Sequence, residues 1–276
     1  MLRPRELSRD LVLFPAKSPT LPPATHTNSY ALGTEELLLI EPATPYEDEQ
    51  RAWIEWARAL ASQGRKAKAI VLTHHHEDHV GGIDVLSREL GLPVWAHAET
   101  AARVGRDKIA KELVDGEIIV LAGDIEWLVH HTPGHAPGHI CLQNTRTRTL
   151  VVGDMVASEG TILIAPGDGD MTVYLEQLER LARMDAALAL PAHGEPIDAP
   201  TALFHRYIRH RLMRENKAFL AVEASPGRTV AQLLPLAYDD TPVHLYPLAI
   251  LSLRAHLDKL AKDGRVVQHD GVWRAS

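Results

Sequence analysis

The spacing of apolar residues changes several times along the chain, and each change marks an element. Residues 11–41 read as strands, with Thr27–Gly33 and Leu37–Ile40 separated by Thr34-Glu35-Glu36 in the manner of a hairpin. Over 46–62 the period lengthens to that of a helix. Trp53, Ile54, Trp56, Ala57 and Leu60 lie mostly on one stripe, and Gly64 follows as a stop. A short apolar run at 68–72 predicts a buried strand, and a helix is predicted at 82–90. Strands follow at 94–96, 118–121, 126–130, 139–143 and 149–152. Met171, Tyr174, Leu175, Leu178 and Leu181 predict a helix over 171–184, and residues 188–190 a last strand. Strands interspersed with helices predict an α/β fold whose sheets are covered by helices.

The pattern changes after Pro200. Residues 201–224 give a long helical run rich in Arg and His, 229–238 a second helix, and 245–262 a third with Leu248, Leu251, Leu253, Leu257 and Leu260. Residues 265–269 and 272–274 flank Asp270-Gly271, a hairpin signal. Helices followed by a hairpin suggest a winged-helix module. The expected division is therefore 1–200 and 201–276.

Composition adds limits rather than detail. The apolar share of 45% and the charged share of 24% are ordinary for a globular protein. No run of 18 apolar residues exists, so no membrane helix is expected. The single cysteine, Cys141, excludes an internal disulfide, fits a reducing compartment and reads most simply as a small buried strand residue. The opening MLRPRELSRDLVLFPAKSP lacks an apolar stretch of secretory length and carries Glu6 and Asp10, so a cytoplasmic location is expected. The net charge of −7 is uneven: residues 197–276 carry +3 and the remainder −10. An acidic body is a poor general platform for nucleic acid, while the basic tail keeps that option open.

The segment THHHEDHVGG, residues 73–82, holds four histidines and two acids in ten positions. His74 and His76, two apart at the end of an extended strand, project to the same side and can reach one metal. The chain then turns, and Asp78 and His79 can face a second metal beside it. Imidazole with carboxylate suits zinc, and less selectively iron or manganese. Further candidates stand where other strands stop: His135 in TPGHAPGH, Asp154 after Thr149–Gly153, and His193 after Leu190-Pro191-Ala192. Proline and glycine fix such loops in unusual courses, as ligand presentation requires. A carboxylate at Asp154 can bridge two metals. His139 is expected to support a ligand or pack its loop rather than bind, His97 to be a residue after a strand more readily than a member of the site rim, and His75, His130 and His131 to be polar strand or loop residues. Asp168 and Asp170 read as turn and helix-capping residues.

In this order HxHxDH, His, Asp, His, the chain resembles the metallo-beta-lactamase-fold hydrolases, over residues 11 to about 200. The resemblance implies an αββα metallo-beta-lactamase sandwich followed by a small winged-helix domain. It also implies a dinuclear site, with His74, His76 and His135 on one metal, Asp78, His79 and His193 on the other, and Asp154 bridging. TPGHAPGH, PAHGEP and the winged tail resemble the beta-lactamase-like protein 2 branch, which has an RNA-cleaving member and many members of unassigned substrate. One departure is Glu41-Pro42-Ala43 where the family commonly has Asp-Pro-Gly; it is expected to leave the ligands untouched.

Two metals about 3.5–4 Å apart can clamp attacking and leaving oxygens and supply a bridging hydroxide near neutral pH, with one metal as oxyanion stabiliser. Asp78 would be the catalytic residue that orients the water or takes its proton. Three functions compete: a two-zinc hydrolase of a thioester, ester or lactone; a single-strand endoribonuclease using His205–Arg214, with four arginines and no acid; and a non-catalytic metal-dependent sensor. The expected partners are a small acyl substrate, RNA at the basic C-terminal helix, a second copy of the chain, and no membrane. Only 38 residues separate Asp154 from His193, too few for the inserted domain of the large RNA-processing members of the fold.

Overall fold

The computed structural model describes residues 3–276. They fall into two compact units. One runs through Thr132 and adds Pro137–Thr161 and Asp185–Pro200; the other holds Pro133–Ala136, Ile162–Met184 and Thr201–Ser276.

The first unit opens with β1 (Arg5–Ser8), β2 (Leu11–Lys17), β3 (His26–Leu32) and β4 (Glu36–Ile40). Helix α1 (Glu47–Ser62) leads to β5 (Lys66–Val71), and α2 (Glu77–Val80) and α3 (Ile83–Leu90) lead to β6 (Val94–His97). Helix α4 (Ala98–Val104) leads to β7 (Lys111–Leu113). These seven strands form one sheet in chain order, antiparallel from β1 to β4 and parallel from β4 to β7. The second sheet takes β8 (Ile118–Leu121), β9 (Ile125–His131), β10 (Ile140–Asn144), β11 (Thr149–Gly153), β12 (Leu188–Pro191) and β13 (Ile197–Asp198), in the order β13-β12-β11-β10-β9-β8.

Side-chain alternation explains the layering. Leu11, Leu13, Tyr30, Leu32, Leu38, Ile40, Ala69 and Val71 form one face of the first sheet and pack on Trp127, Val129, Ile140, Leu142, Val151 and Leu190 of the second. Their alternates Val12, Phe14, Ala31, Leu37, Leu39 and Ile70 face Trp53, Ile54, Trp56 and Leu60 of α1 and Ile83 and Leu86 of α3. The Leu37–Ile40 run is therefore buried on both faces, which is why it reads as continuous rather than alternating. Cys141 lies buried in β10, as expected.

In the second unit, α5 (Met171–Ala182) is followed by α6 (Thr201–Ala224), β14 (Arg228–Thr229), α7 (Val230–Ala237), α8 (Tyr246–Lys262), β15 (Val266–His269) and β16 (Val272–Ala275). A capping box between Thr229 and Gln232 starts α7. The three strands pair in the order β14-β16-β15, and Asp270 and Gly271 both take positive φ in the hairpin turn. Ala218, Val222, Leu233, Leu253, Leu257, Leu260, Val266 and Trp273 form the shared core. This is the helix-and-wing arrangement that the pattern after Pro200 predicts. Among the described residues no helix is long and apolar enough to cross a membrane.

Candidate metal centre

Three strand ends of the first unit meet at one place. β5 ends at Val71, and Thr73 joins the two sheets there: its carbonyl accepts from Ile140 N–H at 2.9 Å and its N–H donates to Glu41 Oε1 at 3.1 Å. The next residues enter α2, a single helical turn begun by the His79 N–H to His76 carbonyl bond of 2.9 Å. The backbone thus reverses inside the histidine segment. His74 Nε2 and His76 Nδ1 lie 2.9 Å apart, as their two-residue spacing predicts. Beyond the turn, Asp78, His79 and His193 bring one ligand atom each within 4.8 Å of one another.

Asp154 stands beside them. Its Oδ1 lies 3.6 Å from His79 Nε2 and 3.3 Å from His193 Nε2, while Asp78 Oδ2 lies 3.5 Å from His193 Nε2. The Asp154 N–H donates to His139 Nε2 at 3.1 Å, so the His139 proton sits on Nδ1, facing Thr132 Oγ1 at 2.8 Å. His139 is thereby a support for Asp154, as its position in the sequence suggested. Gly153 makes the approach possible. Its φ is +47°, and a Cβ there would lie 2.6 Å from His139 Nε2.

His193 is held from the first sheet. Its Nδ1–H donates to the His26 carbonyl at 3.1 Å, leaving the lone pair on Nε2. The Asn28 amide donates to the Pro191 and Gly194 carbonyls at 3.0 and 2.7 Å, and Tyr30 Oη to Pro191 at 2.8 Å. His135 lies in the second unit. Its Nδ1–H donates to the Leu163 carbonyl at 3.0 Å, which again turns Nε2 into the acceptor.

Burial and charge favour a bound cation. His79 is fully buried and neither ring nitrogen has a hydrogen-bond partner, a costly state for a polar ring. Burial alone would lower its pKa, but the carboxylates of Asp78, Asp154 and Glu41 raise it well above the ordinary histidine value. Burial would raise Asp154, yet His193 and His79 hold it well below the ordinary carboxylate range. Burial is likewise outweighed at His193, which Asp154 pushes up. Two carboxylates facing buried imidazoles are a donor set that fits divalent metal.

Glu41 corrects one expectation. The Glu41-Pro42-Ala43 departure does reach a candidate ligand: Glu41 is 1% exposed and its Oε1 lies 3.5 Å from His79 Nδ1. Glu41 has φ +59°, held by Ser29 Oγ–H on its carbonyl at 2.5 Å, with Trp53 Nε1–H on Ser29 Oγ at 2.8 Å. The longer side chain thus spans from a strained strand end to the ring. Among the remaining histidines, His97 caps α4 through Nδ1 and stacks on His131 at 4.0 Å, and His130 Nε2 meets Gln143 Oε1 at 2.8 Å. Asp170 caps α5 as predicted, accepting from Thr172 and Val173 N–H.

The basic helix also departs from expectation. Of the four arginines in His205–Arg214, only Arg206 and Arg209 are exposed. Arg211 is buried, and Arg214 pairs with Asp240 at 2.6 Å. A buried arginine was invisible to a reading that counted charges without knowing which helix face packs.

The pattern of the metallo-beta-lactamase superfamily matches residues 22–193. The chain belongs to this superfamily. It is accordingly a metal-dependent hydrolase, with the α/β fold of that superfamily followed by a small winged-helix domain. The pattern of the beta-lactamase associated winged helix domain matches residues 229–273. A beta-lactamase-like protein 2 homolog of Caenorhabditis elegans is 29% identical over 250 residues, covering 87% of this chain and 80% of its own, in line with the branch read from TPGHAPGH and PAHGEP. The atrochrysone carboxyl ACP thioesterase of Aspergillus fumigatus is 28% identical over 199 residues, covering 71% of this chain and 60% of its own. A metallo-beta-lactamase family protein of Thermus thermophilus shares the fold, with a TM-score of 0.79 at 23% identity over 98% of this chain and all of that one.

Proposed function

We propose that this hydrolase uses two zinc ions to cleave a thioester, ester or lactone of a small acyl compound. His74, His76 and His135 would hold the first ion, Asp78, His79 and His193 the second, and Asp154 would bridge them. Residues 1–200 would form the catalytic domain and 201–276 the C-terminal one. The observation that carries the reading is the meeting of Asp78, His79, Asp154 and His193, with both His79 nitrogens buried and facing carboxylates at 3.5–3.7 Å without a hydrogen bond.

When bound, the metal pair supplies the charge that activates water and polarises the scissile carbonyl. The protein's own groups do the positioning. The His26 and Leu163 carbonyls fix the protons of His193 and His135 on Nδ1 and aim both Nε2 lone pairs. Asp78 has a side chain 16% exposed against 10% for Asp154, so its second oxygen is the carboxylate atom better placed to meet the attacking water. Asp78 would orient that water. Asp78→Ala is expected to lower turnover by about 10²–10⁴-fold; a variant with full metal content and an unchanged rate would sink the role.

The thioesterase relative supports acyl chemistry. RNA cleavage is the second reading, resting on the branch resemblance and on Arg206 and Arg209. A non-catalytic sensor would use Asp78 as a ligand only. Purified protein tested against thioester, lactone and single-stranded RNA panels separates them. Thioester or lactone turnover indifferent to Arg206→Ala/Arg209→Ala supports the acyl reading; RNA cleavage lost with that pair overturns it.

A further inference from the structure

Within the second unit, residues 133–136 are held by one strap, residues 162–170. Leu163 accepts from His135 Nδ1–H at 3.0 Å, and the Gly134 carbonyl accepts from Asp170 N–H at 2.8 Å. Gly134 presses on the first turn of α5: with φ +121°, a Cβ there would stand 2.4 Å from Tyr174 Cα. The strap is gripped in turn by the C-terminal helices. Arg211 of α6, 3% exposed, donates Nη2–H to the carbonyl of Ile162, next to Leu163. Its guanidinium lies over the Tyr174 ring at 5.6 Å. Lys262 of α8 reaches Asp170 Oδ2 at 2.5 Å, an exposed pair of small weight.

Arg211 is the informative member. Burying a guanidinium is costly unless it is paired, and Arg211 makes no ion pair with a carboxylate among the described residues. It spends its buried charge on a backbone carbonyl and an aromatic face. That arrangement fixes the course of Ile162–Leu163 to a degree that a neutral side chain would not. A guanidinium does this better than an ammonium because it is planar and donates in a fixed fork.

We propose that Arg211 is a positioning residue for the metal centre: it holds the Leu163 carbonyl in place, and through it sets the tautomer and aim of His135. Helix α6 would thereby take part in metal binding without supplying a ligand. This rests on His135 as a ligand of the first metal. The chemistry of the link is ordinary for metal sites, where the group behind a histidine is worth about 10–100-fold in metal affinity.

Zinc titration of the metal-free full chain against a competing chelator tests it, on wild type, Arg211→Met, His135→Ala, the double variant, and Arg209→Met as a surface control. Arg211→Met is expected to weaken one of the two zinc sites by about 10–100-fold and leave the other as in wild type. His135→Ala should lose the same site, and Arg211→Met should then have no further effect on the remaining one. A merely structural role would weaken both sites and persist in the double variant, which overturns the proposal. If His135→Ala keeps both sites, the ligand assignment fails and the proposal with it. If His135→Ala loses one site but Arg211→Met binds like wild type, the proposal alone fails. Should Arg211→Met not fold, Arg211→Lys carries the test: a several-fold loss confined to the same site is expected, and wild-type affinity at both sites overturns it.

Discussion

Asn28 offers the sharpest perturbation of the centre that leaves every ligand in place. Its amide donates to the Pro191 and Gly194 carbonyls at 3.0 and 2.7 Å, on either side of His193, and is itself buried. Each such bond contributes about 0.5–1.5 kcal/mol net, and a buried carbonyl left without its donor costs about 1–3 kcal/mol. Tyr30 Oη still serves Pro191 after Asn28→Ala, so one carbonyl, that of Gly194, loses its amide donor. The expected loss is about 2–3 kcal/mol, read by urea unfolding of the metal-free chain. Asn28→Asp should be worse than Asn28→Ala, because a carboxylate cannot donate and would face two carbonyl oxygens. Both variants should also weaken zinc binding at the site that includes His193. A loss below about 0.5 kcal/mol, or an aspartate variant as stable as wild type, would refute the claim that this amide holds the His193 loop.

Three further outcomes are expected. Gly153→Ala forces a Cβ to within 2.6 Å of His139 Nε2 at φ +47° and should cost about 2–4 kcal/mol in chemical unfolding, with loss of metal. His256 is buried in α8, and burial, followed by the charge of Arg211, lowers its pKa to about 3. The unfolded chain takes up this proton near pH 6.5 and the folded chain does not until about pH 3, so the stability it contributes is complete above pH 6.5 and is lost on acidification. Between pH 7.5 and 5, His256→Leu should therefore lose about 2 kcal/mol less stability than wild type in paired denaturation curves; parallel curves would contradict this. Removing metal with a chelator should lower the melting temperature, since each site saturated 1,000-fold above its Kd adds about 4 kcal/mol.

How much of this was legible in the sequence depended on periodicity and on clustering. The α1 stripe, the buried 68–72 run and the Asp-Gly wing hairpin are strong local patterns, and the structure keeps them. Strand β7 and helix α4 were missed: Lys111–Leu113 is three residues long at a sheet edge, and Ala98–Val104 has too few apolar residues to show a stripe. Dense metal-type residues made the candidate site visible before the fold. Its supports were not visible, because their signal lies in tertiary contact. Asn28 looked like an ordinary strand residue among the polar neighbours His26, Thr27 and Ser29. Glu41 looked like a neutral departure until the turn after β4 carried it to His79. Arg211 was indistinguishable from the surface arginines beside it until α6 acquired a buried face.

The central claim is a two-metal centre, and elemental analysis of the purified chain reconstituted with zinc addresses it most directly. Two tightly held equivalents per chain are predicted, falling to one in His193→Ala. A single equivalent in the unmodified chain, or two retained in His193→Ala, would contradict the account.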